Sequence, residues 1–322
     1  MKMKKIVFLF VLNLVFIDVL GQDPTFTQFY ANPIYLNPAL AGSTGCPRVS
    51  MNYRNEWPQL TGNYVTYSLA YDSYVKNISG GIGLIATHDQ QGRGTISTTM
   101  IGGIYSYNLR INRKFSMMAG VRAAYFQKYL DWSKLTFGDM IDPRRGFIYQ
   151  TGDVPRGNGK RGFFDASAGL VGYTDKFYFG VAAHHLNRPD ESMILGTSRL
   201  PMRFTGHAGA NIKLGRGSKL VNSTSIMPNI IYQYQNGFQE LNIGTYIKFE
   251  NFTAGVWYRN RDAFILCLGI STPKFKVGYS YDVTVSKLGN GVSGGSHEVS
   301  LGFNFACKKK PKNFRKISCP SF

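Results

Sequence analysis

The chain has 322 residues, 14% of them aromatic and only 17% charged, with 36 glycines and a slightly negative mean hydropathy. That balance is too poor in charge for an ordinary soluble α/β enzyme and too poor in apolar residues for a helical membrane protein. Its 37 Lys and Arg against 18 Asp and Glu give a net charge of +19, a surplus that calls for nucleic acid, acidic lipid headgroups or an acidic protein as partner.

At the N-terminus Lys2, Lys4 and Lys5 precede an apolar run from Ile6 to Ile17 broken only by Asn13, ending near Gly21. This is the layout of a secretory signal peptide, shorter than the ~20 apolar residues a spanning helix needs. Cleavage is expected after Gly21, which makes 1–21 the signal. Gln22 in place of Cys then leaves no acceptor thiol for lipid anchoring. Removing the three lysines and Asp18 leaves 34 basic and 17 acidic residues on 301. Export argues against nucleic acid as the partner.

Residues 22–47 follow, with Pro24, Pro33 and Pro38. Proline lacks a donor N–H and biases the preceding residue to extended geometry, so the segment cannot be one regular helix or a central strand. It is expected to be irregular. Phe26, Phe29, Tyr30 and Tyr35 still need burial, in a lumen or at its periplasmic mouth, the alternative being a flexible leader with no contacts.

From residue 48 onward period-2 alternation dominates. Val299, Leu301, Phe303 and Phe305 face one way while Glu298, Ser300, Gly302 and Asn304 face the other, and Phe275, Val277, Tyr279 and Tyr281 oppose Lys276, Gly278, Ser280 and Asp282. One face suits lipid and the other water. No stretch of 18 apolar residues occurs after the signal region. The membrane solution left is a closed barrel. About fourteen strands are predicted, near 48–57, 63–75, 80–88, 95–109, 114–129, 163–173, 176–186, 202–214, 225–235, 238–249, 252–260, 263–271, 274–283 and 297–306. The fold class is therefore all-β, a transmembrane antiparallel outer-membrane β-barrel over 48–306. The runner-up is a soluble all-β sandwich or propeller, but no propeller repeat is visible.

With the chain entering from the periplasm, odd-numbered connections should be external and long. The longest, 130–162, 187–201 and 284–296, are all odd, and the even ones are tight apart from 215–224. The loop 130–162 carries the residue types enriched at interface hot spots, making Arg144, Arg145, Phe147, Tyr149 and Arg156 candidates for docking another protein. After the last strand, 307–322 forms a basic periplasmic tail. There Lys308, Lys309, Lys310, Lys312, Arg315 and Lys316 are candidates for the periplasmic surface of the outer membrane or for a periplasmic partner, the alternative being a solvated tail.

Nothing in the pattern assembles an active site, and no cofactor or metal is expected. His184 and His185 are adjacent in a predicted strand and should face opposite sides. His88 and Asp89 fall at a strand end and read as loop. Of four cysteines, Cys267 should point into the barrel as a small packing residue. Cys46, Cys307 and Cys319 fall at periplasmic ends and allow three pairings. A Cys307–Cys319 bridge would contribute about 2–3 kcal/mol in the chain-entropy model.

The run Gln22-Asp23-Pro24-Thr25-Phe26-Thr27-Gln28-Phe29-Tyr30-Ala31-Asn32-Pro33, continued by Tyr35-Leu36-Asn37-Pro38-Ala39-Leu40-Ala41-Gly42, resembles the opening of the PorP/SprF family. The block Arg48-Val49-Ser50-Met51-Asn52-Tyr53-Arg54-Asn55-Glu56-Trp57-Pro58 is similar to that family too, as is Gly80-Gly81-Ile82-Gly83-Leu84 leading to His88-Asp89. The tail with Cys307, Cys319 and its lysines does not match the family pattern. The resemblance implies an outer-membrane barrel of the type IX secretion and gliding machinery of Bacteroidota. Its implied partners are secreted surface proteins with a C-terminal sorting domain, periplasmic secretion or motility components, and outer-membrane lipid, without nucleic acid. The alternative is a passive porin-like channel with a cationic lumen.

Overall fold

A computed structural model of the chain describes residues 23–112, 114–152, 158–193, 196–214, 224–286 and 289–306. The expected signal peptide, Arg156 and the tail from Cys307 lie outside them. Fourteen antiparallel strands form the wall: β1 (Arg48–Glu56), β2 (Tyr64–Val75), β3 (Gly80–Gln91), β4 (Ile96–Arg110), β5 (Ser116–Leu130), β6 (Lys160–Tyr173), β7 (Phe177–His184), β8 (Arg203–Ala210, resuming at Ile212–Lys213), β9 (Thr224–Gln235), β10 (Phe238–Phe249), β11 (Phe252–Arg259), β12 (Ala263–Ser271), β13 (Phe275–Thr284) and β14 (Ser296–Asn304). Each pairs with its neighbours in sequence, and β1 pairs with β14 from Arg48↔Asn304 to Glu56↔Ser296, so the sheet closes without a free edge. Closure satisfies every ladder in the wall, which is what lets a sheet face lipid.

The alternation sets the two faces. Val299, Leu301 and Phe303 are exposed on the outer wall, while Glu298 and Ser300 are buried in the lumen. β3 runs through His88 and Asp89 to Gln91, paired with Tyr64, so these two residues are in a strand and not in a loop. The Asp89 carboxylate accepts from the Thr66 hydroxyl at 2.6 Å across that pairing, which holds the extra turns of ladder together.

At one end of the barrel five of the connections are short, at 76–79, 111–115, 174–176, 250–251 and 272–274. At the other end lie the long ones, 131–159, 185–202 and 285–295. A two-stranded hairpin, Ile141–Asp142 with Gly146–Phe147, projects from the first of these.

The hydrophobic core of this molecule is its lumen, and the N-terminal segment fills it. Phe26, Thr27, Gln28, Phe29 and Tyr30 are all buried, followed by a helical turn α1 (Pro33–Leu36) and a 3-10 turn Pro38–Leu40. Phe29 packs on Trp257 with ring centroids 5.1 Å apart, and Tyr30 meets Tyr178 edge-on at 5.9 Å. Burying each such side chain stabilises the seat by about 1.5–3 kcal/mol.

Candidate functional site

The lumen plug is held at three levels, mostly by strand residues that alternation turns inward. Near the long connections, Asp23 lies 2.7 Å from His185 Nε2 and 3.3 Å from Arg203, and its backbone N–H donates to Gln235 Oε1. His185 Nδ1 is 2.8 Å from Asp165, which also pairs with Arg122 at 3.4 Å. Each imidazole nitrogen therefore faces a carboxylate oxygen, an arrangement that favours the ring form with a proton on both nitrogens. Burial alone would lower the pKa of His185, but Asp23 and Asp165 outweigh it and push it up to about 9. Burial likewise opposes the Asp23 carboxylate, while His185 and Arg203 hold its pKa far below the usual range.

In mid-lumen, Glu298 accepts from the backbone N–H groups of Thr27 at 2.6 Å and Gln28 at 3.3 Å, and from Asn52 Nδ2 at 3.2 Å. Arg54 bridges this carboxylate to Asp282 and contacts the Thr27 hydroxyl. Arg259 lies 3.3 Å from Asp282 and 3.8 Å from Glu240. Toward the short connections, Asp72 pairs with Arg48 at 2.9 Å and accepts from Gly42 N–H at 2.8 Å, while Ser106 Oγ donates to Ala41 O.

Glycines in the wall make room for the plug. A Cβ on Gly120 would sit 2.5 Å from Ala39 N, one on Gly169 would overlap Asn37 Oδ1, and one on Gly81 would overlap Ala41 O. Asn37 accepts from Ala39 N–H, capping the 3-10 turn, and its Nδ2 donates to Val181 O at 3.1 Å. Pro38 stands at the first position of that turn, where no N–H is required.

Asp23 thus sits at the long-connection end, while Pro47 O accepts from Phe305 N–H at the other end. The segment traverses the whole lumen. Above Asp23 a vestibule of about 770 Å³ stays open, lined by Tyr35, Phe126, Phe163, Arg203 and Arg259 among others.

His184 and His185 both point into the lumen, contrary to the alternation expected of a strand. β7 ends at His184, and His185 takes φ +58°, which swings its ring to the same side. Sequence reasoning also missed Asp23, Arg54, Asp282 and Glu298 as a set. Their only signal was that charged side chains recur at inward positions of strands.

Arg144, Arg145, Phe147 and Tyr149 come together at the projecting hairpin. Asp142 Oδ1 accepts from the N–H groups of Arg144 and Arg145, each at 2.8 Å, and its Oδ2 from the Tyr149 hydroxyl at 3.1 Å. These backbone bonds hold the Asp142 carboxyl below its ordinary pKa. Phe147 and Tyr149 are 63% and 55% exposed, so this loop presents aromatic surface instead of burying it. Cys267 is buried in the wall as a free thiol, and Cys46 is disulfide-bonded. Cys307, Cys319 and the basic side chains from Lys308 to Lys316 lie outside the described residues.

A closed fourteen-strand barrel stoppered by its own N-terminal segment defines a plugged β-barrel of the outer-membrane type. The family model described as type IX secretion system membrane protein PorP/SprF matches residues 19–303, and the chain belongs to that family. No curated protein matches it. Among solved structures it is similar to the Ralstonia pickettii toluene transporter TbuX, at 10% identity and TM-score 0.49 over 89% of this chain and 96% of that one. It is also similar to a Pseudomonas aeruginosa FadL homologue, at 12% identity and TM-score 0.48 over 88% and 99%, and to Acinetobacter baumannii Omp33, at 9% identity and TM-score 0.44 over 81% and 100%. Similarity at this level carries no inference about what this chain does.

Proposed function

We propose that this protein is a non-enzymatic outer-membrane barrel of the type IX secretion and gliding machinery that supports secretion or surface anchoring by docking the C-terminal sorting domain of its cargo. The observation that carries this reading is the filled lumen. Arg48, Arg54, Arg122 and Arg259, which face the lumen, each have a carboxylate partner, and among the described residues the plug occupies the axial path, unlike the open cationic pore that a passive channel needs. The plug leaves the long-connection rim uncovered, and there Phe147 and Tyr149 stand exposed on the same loop as Arg144 and Arg145. Buried aromatics and arginines dominate binding energy once a partner covers them.

Replacing Arg144, Arg145 and Tyr149 with alanine is expected to lower cargo retention at the cell surface, with barrel assembly normal by heat-modifiable migration on gels. Unchanged retention would remove this loop from the docking surface and leave 185–202 and 285–295 as the candidates. Deleting residues 308–322 is expected to weaken association with periplasmic secretion or motility components while the barrel still folds; an undiminished complex would make the tail dispensable.

A further inference from the structure

The short-connection rim carries an unpaired charge that neither the plug nor the docking rim uses. Lys76, Arg110, Lys114, Lys176, Lys213 and Lys274 are exposed there, against only Asp175 and Glu250 among the exposed, described acids of these connections. None of the six is in an ion pair among the described residues. At the opposite rim Lys128, Lys134 and Arg161 each have a carboxylate partner, whereas Arg93, Arg188 and Arg261 are exposed there without an ion pair among the described residues.

The six are spread around the circumference, on the connections that link β2 to β3, β4 to β5, β6 to β7 and β12 to β13 and at the ends of β4 and β8. Several sit beside a large apolar side chain on the outer wall: Lys76 near Ile78, Arg110 after Leu109, Lys176 before Phe177, Lys213 after Ile212 and Lys274 before Phe275. Two apolar grooves in the outer wall begin at this rim. One, of about 420 Å³, is lined by Ala254, Leu268, Ile270 and Val277; Ile270 pairs with Val277 close to the turn that holds Lys274. The other, of about 530 Å³, lies over Gly103 and Ala123 between Tyr71 and Tyr105, whose hydroxyl donates to Ile78 O in the turn that starts with Lys76.

We infer that the short-connection rim binds anionic phospholipid, with acyl chains in the two wall grooves and headgroup phosphates at Lys76 and Lys274. These cations adjoin, in sequence, side chains of the lipid-facing wall at its end, and Lys and Arg at a membrane surface attract anionic lipid. Lys248 and Lys276, which face the lumen, are outside this site.

The test reconstitutes the full chain in bilayers of equal phosphatidylglycerol and phosphatidylethanolamine, extracts it in mild detergent and counts retained lipids by native mass spectrometry. Phosphatidylglycerol should exceed phosphatidylethanolamine severalfold. The Lys76→Gln/Lys274→Gln variant should abolish that excess, while Lys134→Gln at the other rim should keep it. Should the double variant fail to fold, the wild-type chain at about 1 M salt, where the Debye length is about 3 Å, should lose the same excess. Equal retention of the two headgroups, or an excess that survives both the double substitution and salt, would overturn the inference.

Discussion

His185 Nε2 lies 2.7 Å from Asp23 Oδ2, tying the first described residue of the N-terminal segment to the wall just beyond β7, at the end of the barrel opposite to the one where β1 begins. The tether has a defined pH window. His185 is raised above its ordinary value, so its contribution is complete below about pH 6.5 and is lost as pH rises through about 9. Asp23 is depressed, so its contribution is present above the ordinary carboxylate range and is lost only as pH falls through its lowered pKa. A nitroxide on Thr25→Cys should therefore be immobile at pH 7 and mobile at pH 10. Equal line shapes at the two pH values would rule the tether out.

Asp23→Ala should cost on the order of 3 kcal/mol, because it leaves His185 and Arg203 buried with one carboxylate fewer. The loss should appear in urea unfolding of the protein refolded into vesicles. A change below about 0.5 kcal/mol, the range of ordinary surface substitutions, would mean the contact is incidental.

Gly120→Ala and Gly169→Ala should each destabilise the seated plug by about 1–3 kcal/mol through overpacking. The new methyl meets Ala39 backbone in one case and the Asn37 side chain in the other. Gly206→Ala is the control, since a Cβ there has nothing within 4 Å, and it should be near neutral. Loss of stability in the control and not in the other two would refute the socket argument.

The intact protein should show no large sustained currents in planar bilayers, and removal of residues 23–45 should open it. Without the segment, Trp257, Tyr178 and Tyr246 would line a vacant lumen. Large steady currents from the intact chain would favour the passive-channel alternative instead.

Asp142→Ala should loosen the projecting hairpin while leaving the barrel unfolding transition in place. The substitution removes two backbone acceptor bonds and the Tyr149 hydroxyl bond, all on an exposed loop. Limited proteolysis should then cut within 141–149 faster than in the parent. An unchanged rate would show that the hairpin is held elsewhere.

Much of this architecture is local information. Alternation in runs such as 297–305 assigns each side chain to wall or lumen, because successive residues of a strand point to opposite faces. The placement of the long connections on one end follows from counting strands, and the prolines at 24, 33 and 38 exclude a regular structure before β1. The same alternation turned Arg54, Asp282 and Glu298 inward without saying that they meet. Of their strands, β13 and β14 are neighbours in sequence, but β1 meets β14 only when the barrel closes, and which side chains then share a level depends on the register of that closure. His185 escaped sequence reasoning because one left-handed residue past a strand end reverses the face, and no neighbour in the sequence announces it. The tertiary structure alone decided that Asp23 crosses to the far end of the lumen. That course is set by the burial of Phe26 to Tyr30, by glycines opposite Asn37, Ala39 and Ala41, and by carboxylates spaced along the lumen, which act together only once the wall surrounds them.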